Sequence, residues 1–99
     1  MNIAIKTKNI TLNSALKEFT EDKIKSLEKF LGNTELLLAE VELCKLEHGY
    51  KGNVFRAEAQ IQVKGKLLRA ESTMDDLRKA IVDVKDSLQV QIKKYRETR

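Results

Sequence analysis

From Phe55 to Val63 apolar and polar residues alternate without a break: Phe55, Ala57, Ala59, Ile61 and Val63 on one side, Arg56, Glu58, Gln60 and Gln62 on the other. Successive side chains of an extended chain point to opposite faces, so this run predicts a strand with one buried and one wet face, as antiparallel sheets have. Lys64-Gly65-Lys66 follows as a tight hairpin turn, because glycine admits positive φ at little cost. Leu67 to Glu71 then reads as the returning strand. Upstream, Leu36 to Leu46 repeats the alternation, with Ala39, Val41 and Leu43 facing one way and Glu40, Glu42 and Cys44 the other. The intervening stretch EHGYKGN, with two glycines and an asparagine, reads as a turn or flexible hairpin tip. Ile3 and Ile5 alternate with Asn2, Ala4 and Lys6 and supply a first strand.

Two segments change period. Leu16, Phe19, Ile24, Leu27, Phe30 and Leu31 recur at helical spacing, preceded by Asn13 as an N-cap and closed by Gly32. Leu77, Ala80, Ile81, Val84, Leu88, Ile92 and Tyr95 mark a long second helix. Before it, Thr73-Met74-Asp75-Asp76 has the form of a capping box, with an acidic residue three positions after threonine. Both aspartates suit the positive end of the helix dipole. The predicted order is βαβββα, an α+β fold. A four-stranded, mostly antiparallel sheet has both helices on one face and Glu40, Glu42, Glu58, Gln60 and Gln62 toward solvent.

The chain has 99 residues, room for one domain over positions 1–99. With 41% hydrophobic and 34% charged residues it is globular rather than disordered. A single cysteine, Cys44, excludes an intrachain disulfide and a cysteine-rich metal site, and the lone His48 leaves zinc short of ligands. We therefore expect no metal and no cofactor. Cys44 and His48 could share a strand face, but a lone thiol usually fills apolar space and a histidine beside glycine is usually a solvated turn residue. A glycine-rich phosphate loop, a paired catalytic acid and a nucleophile motif are all missing, so the sequence does not read as an enzyme. No apolar run approaches the roughly 20 residues that span a bilayer, and the alternating N-terminus is not a signal peptide. The expectation is a cytoplasmic protein with neither a membrane nor a small-molecule substrate as partner.

Nineteen basic against 15 acidic side chains give a formal charge of +4, which suits a polyanionic partner. On the second helix Arg78, Lys85, Lys93 and Arg96 line one flank of the apolar stripe, while Lys79 and Lys94 lie further round, near Asp83 and Asp86. Such a row can neutralise successive phosphates and release their counterions. It also matches the ordinary wet face of a helix. The first helix carries Lys17, Lys23, Lys25 and Lys29. Lys23 falls inside the apolar stripe, so its ammonium must snorkel to an edge of the helix.

In order and spacing, the stretches MNIAIKTKNITLNSALKEFTEDKIKSLEKFLG, AEVELCK, AEAQIQVKGKLLRAES, MDDLRKAI and SLQVQIKKYR resemble one known family across residues 1–96. It is that of ribosome hibernation-promoting factor and ribosome-associated inhibitor A, historically also labelled sigma-factor modulation proteins. The resemblance implies a double-stranded-RNA-binding-like fold and binding to the small ribosomal subunit. The implied seat is the groove between head and body, over the messenger and transfer RNA sites. There, basic helix residues would contact 16S rRNA phosphates, and translation would stop by occupancy. Lys23 and Lys29, and often Lys17, match basic family positions. Ser26 stands where the family has lysine, with Lys25 beside it. On the second helix, Asp76-Leu77-Arg78 replaces an aspartate–methionine–tyrosine pattern. Ser87 and Val90 replace a lysine and an arginine, and Lys94 keeps the next basic position. Long members append a C-terminal dimerisation domain; ending at Arg99, this chain resembles the short form.

Two other readings use the same residues differently. A generic double-stranded-RNA binder would open its last helix with lysines, where this chain has Asp75-Asp76. A protein-interaction module would use the wet sheet face or a strand edge, with Leu46 as an apolar spot.

Overall fold

The computed structural model describes residues 2–48 and 50–98; Met1 of the resembling N-terminal stretch, Gly49 of the predicted hairpin tip and Arg99 lie outside them. The element order is β1 (Ile3–Lys8), α1 (Ser14–Lys25), α2 (Glu28–Leu31), β2 (Leu36–Lys45), β3 (Phe55–Val63), β4 (Lys66–Met74) and α3 (Leu77–Glu97), with one 3-10 turn at Tyr50–Gly52. The four strands lie in sequence order. β1 runs parallel to β2, with Ile3 opposite Ala39 and Lys8 opposite Cys44. β2–β3 and β3–β4 are antiparallel. This is the predicted α+β architecture.

The alternation of β3 is obeyed from Ala57 onward, with Phe55 half-buried at the start of the strand. Ala57, Ala59, Ile61 and Val63 are buried, while Arg56, Glu58, Gln60 and Gln62 on the other face are half-buried by one another's long side chains. Ala59 sits between Val41 and Ala70 in the register, so the middle of the sheet is lined with small side chains. α3 packs over β3 and β4 there, with Ala80, Ile81, Val84, Leu88 and Ile92 buried. Small residues on the sheet let its backbone come close while Leu88 and Ile92 fill the remaining volume. α1 and α2 lie against α3 and add Leu16, Ile24, Leu27 and Leu31 to the same core. The β3–β4 turn is two residues long, with Val63 paired to Lys66 and Gly65 at φ +78°.

Four local readings are corrected. The first helix is not continuous. Ser26 Oγ donates to the Lys23 carbonyl, the Leu27 N–H reaches Ile24 and the Phe30 N–H reaches Leu27, so i→i−3 bonds tighten the chain between α1 and α2. The cap of α3 is Asp76, whose carboxylate accepts from the N–H groups of Arg78 and Lys79; the predicted cap Thr73 is in β4, opposite Arg56. Pairing with β3 carries β4 on to Met74, beyond the expected end at Glu71. Cys44, read as a filler of apolar space, is indeed only 8% exposed on the wet face, because its cross-strand neighbours are the long side chains of Lys8 and Arg56. The exposed apolar residues of the sheet are Leu37, Leu38 and Leu67, whereas Leu46 is half-buried. A register shift between Leu36 and Leu38 leaves both Leu37 and Leu38 outward while Leu36 stays in the core.

Candidate nucleic-acid interface

The helical layer presents its charge along the seam where α1 and α2 meet α3. Asn13 starts α1 by accepting from the Leu16 N–H at 2.8 Å, which sets the helical phase. With Leu16, Thr20, Ile24 and Leu27 buried, Phe19 and Phe30 fall at the border of the apolar face and are half-buried. Their rings form the floor of the seam. Over Phe19 lie the Lys23 ammonium, 5.3 Å from the ring centroid, and the Arg78 guanidinium at 4.8 Å. Over Phe30 lie Lys29 at 5.1 Å and Lys93 at 5.9 Å. Arg96 Nη1 donates to the Phe30 carbonyl at 2.8 Å. A cation over an aromatic face is attracted by the ring quadrupole, by about 0.5–1 kcal/mol where exposed, so each ring holds two flexible side chains near a preferred place.

Lys23, Lys29, Arg78, Lys93 and Arg96 make no ion pair with a carboxylate among the described residues. Four other cations are paired: Lys79 with Asp75 at 3.4 Å, Lys85 with Asp86 at 2.6 Å, and Arg56 and Arg69 with Glu58 on the sheet face. Lys17, Lys25 and Lys94 share the lack of a carboxylate partner among the described residues but stand apart from the seam. The seam therefore gathers positive charge that the fold leaves uncompensated, steadied by rings rather than carboxylates. Phe19 lies in α1 and Phe30 in α2, so the cations gather in two clusters, one over each ring.

Of the ten basic residues picked from the sequence, the structure brings together these five, with Lys85 on the same flank but tied to Asp86. The rest point elsewhere. At about 100° per residue, Lys17 lies about 160° and Lys25 about 120° round from Phe19, Lys79 about 100° from Arg78, and Lys94 about 160° from Arg96. Ser87 and Val90, where the resemblance expects basic residues, are likewise about 180° and 120° from Arg78. Gln91 bridges that far flank, donating to the Arg69 carbonyl at 2.8 Å and the Ser87 hydroxyl at 3.3 Å. Lys23 does escape the apolar stripe, over Phe19. Reading the sequence by periodicity put Phe19 and Phe30 in the core stripe and missed their role as platforms. Their place at the edge of that stripe was the available signal.

The opposite sheet face carries an ionic network of its own. Arg56 bridges Glu58 and Glu71, and Arg69 Nη2 lies 2.9 Å from Glu58. Hydrogen bonds from Arg69 and then Arg56 hold the Glu58 carboxyl below its ordinary range. Cys44 is buried in this face, and His48 is exposed beyond the end of β2. No helix among the described residues is long and apolar enough to cross a membrane.

Comparison with known proteins gives this geometry a context. Residues 3–99 match the family described as sigma 54 modulation protein / S30EA ribosomal protein. The chain is 30% identical over 88 residues to the ribosome hibernation promotion factor of Staphylococcus aureus (strain COL), an alignment covering 89% of this chain and 44% of that protein. It thus spans less than half the length of that relative. The fold is similar to the N-terminal domain of Thermus thermophilus Protein Y, with a TM-score of 0.82, 30% identity and coverage of 96% of this chain and 99% of that one. A ribosomal subunit interface protein from Coxiella burnetii has the same fold, with a TM-score of 0.75 at 20% identity over 98% of this chain and 99% of that one. With the family matched along nearly its whole length and the sheet and helices arranged as in its relatives, the chain belongs to the sigma 54 modulation protein / S30EA ribosomal protein family.

Proposed function

We propose that this chain binds the small ribosomal subunit through the α1/α2–α3 seam and silences translation by occupying the decoding region, without chemistry of its own. The observation that carries the reading is the seam itself: five cations free of carboxylate partners, four of them over two phenylalanine rings. An array of this kind attracts a phosphate backbone and releases its counterions on contact. The name of the Staphylococcus aureus relative supports a ribosomal partner, and the polyanion in a ribosome's interior is rRNA. Binding to any RNA duplex is disfavoured by the start of α3, where the Asp76 carboxylate takes the N–H groups that a phosphate would use.

The test is co-sedimentation with isolated small subunits across a salt series, for the wild type and for Lys23→Glu/Lys29→Glu. We expect near-stoichiometric binding that weakens steeply with salt, and loss of binding in the double variant with an unchanged circular dichroism spectrum. Wild-type binding that the double variant retains would move the interface off the seam. Equal affinity for a plain RNA duplex would replace the ribosome with duplex RNA in general.

A further inference from the structure

Arg96 stands in the basic row of α3, yet its guanidinium is engaged within the protein. Nη1 donates to the Phe30 carbonyl, 66 residues away in sequence, at 2.8 Å. That carbonyl lies in the last turn of α2, where carbonyls have no helical partner and an outside donor is needed. The rest of the group lies across Gly32. A Cβ built on Gly32 would stand 2.8 Å from Nη2 and 3.1 Å from Cζ of Arg96, and Gly32 has φ +60°. The guanidinium thus fills the space that any side chain at 32 would occupy, and the glycine conformation that ends α2 opens that space.

This contact joins the last turn of α3 to the end of α2, and the ring between them is Phe30. Lys29 precedes that ring in sequence and Lys93 lies one turn before Arg96, and both ammonium groups lie over it. Two like charges that share one ring repel each other; core packing of Leu27 and Leu31 holds the helices together, and the local spacing beside the ring is open to a further contact. Arg96 is placed to make it, since a planar fork of donors can bond a carbonyl while its face lies flat against the backbone.

We propose, resting on the reading of the seam as the ribosome-binding surface, that Arg96 is a positioning residue of that surface. Its contact with the Phe30 carbonyl and Gly32 sets the spacing of Lys29 and Lys93, and its effect on binding passes through those two lysines.

A thermodynamic cycle on affinity for isolated small subunits separates this from direct phosphate contact. Residues that act through one another are non-additive, whereas independent contacts add. Arg96→Ala should weaken binding about tenfold in the wild-type background and less than about twofold in a Lys29→Ala/Lys93→Ala background. Arg96→Lys, which keeps the charge and loses the fork, should show at least half of the Arg96→Ala loss on a logarithmic scale. Thermal melts of each variant verify that the compared species are folded, and the Arg96→Lys arm carries the test if Arg96→Ala is not. Equal losses in both backgrounds, or wild-type affinity in Arg96→Lys, would overturn the positioning role and leave the seam as the binding surface. A wild-type protein that does not bind subunits would overturn the reading beneath it, and the role of Arg96 with it.

Discussion

Phe30 holds two ammonium groups over one ring and gives its carbonyl to a guanidinium, so three cations surround a single half-buried residue. Ring attraction and one hydrogen bond offset part of their repulsion, and a bound phosphate would offset the remainder. Glu58, on the opposite face, illustrates the reverse arrangement, a carboxylate set between two arginines. Because Arg69 and Arg56 lower its folded pKa, Glu58 contributes stability that is present above its unfolded pKa and lost as pH falls through the folded value. Denaturant titrations between pH 7 and 3 should therefore show a loss on the acid side that Glu58→Gln makes shallower. The difference should stay below about 1 kcal/mol, as surface ion pairs do. Residue type alone marked the cations, and Lys23 stood out as the misfit of an apolar stripe. The flank of Arg78, Lys85, Lys93 and Arg96 was legible from helical period, but its meeting with Lys23 and Lys29 was not, because that depends on how two distant helices are placed against each other.

At the scale of elements, β3 was legible because its period of two meets water on one face only. α3 was legible because five buried residues recur over 21 positions. Two boundaries were not. The tightening between α1 and α2 leaves Ser26 and Leu27 at helical φ and ψ, so no breaker marks it. The start of α3 is decided by β4, whose pairing with Phe55 and Arg56 holds Thr73 and Met74 extended and passes the cap to Asp76. Leu88 belongs wholly to the packing of α3 on the sheet and is 0% exposed. Leu88→Ala should cost about 2–5 kcal/mol in chemical denaturation, depending on how far the small side chains beneath it can close the gap. If the loss were under about 1 kcal/mol, α3 would not be seated on β3 and β4 as described.

The whole molecule is a thin two-layer body of 41 × 27 × 17 Å with different electrostatic arrangements on its two sides. On the sheet face Arg56, Arg69, Glu58 and Glu71 neutralise one another, and on the helical face five cations are left without carboxylate partners at the seam. On the proposed reading, a shape this thin would enter a cleft with its seam against RNA and its sheet face turned away. The sheet also contains two kinds of neighbour. β3 and β4 meet across a two-residue turn, whereas β1 reaches its place beside β2 only after α1 and α2 have intervened, with Ile3 opposite Ala39. Closing a long loop before any contact rewards it is slow, so the meander of β2, β3 and β4 with α3 should assemble first and β1 should join afterwards. Ile5, half-buried in β1, gives that order a clock. Ile5→Ala should speed unfolding in stopped-flow experiments in proportion to its lost stability, about 1–2 kcal/mol, and leave the refolding rate nearly unchanged. Of the four strands, the first to leave the ribosome during synthesis would then be the last to find its place in the fold.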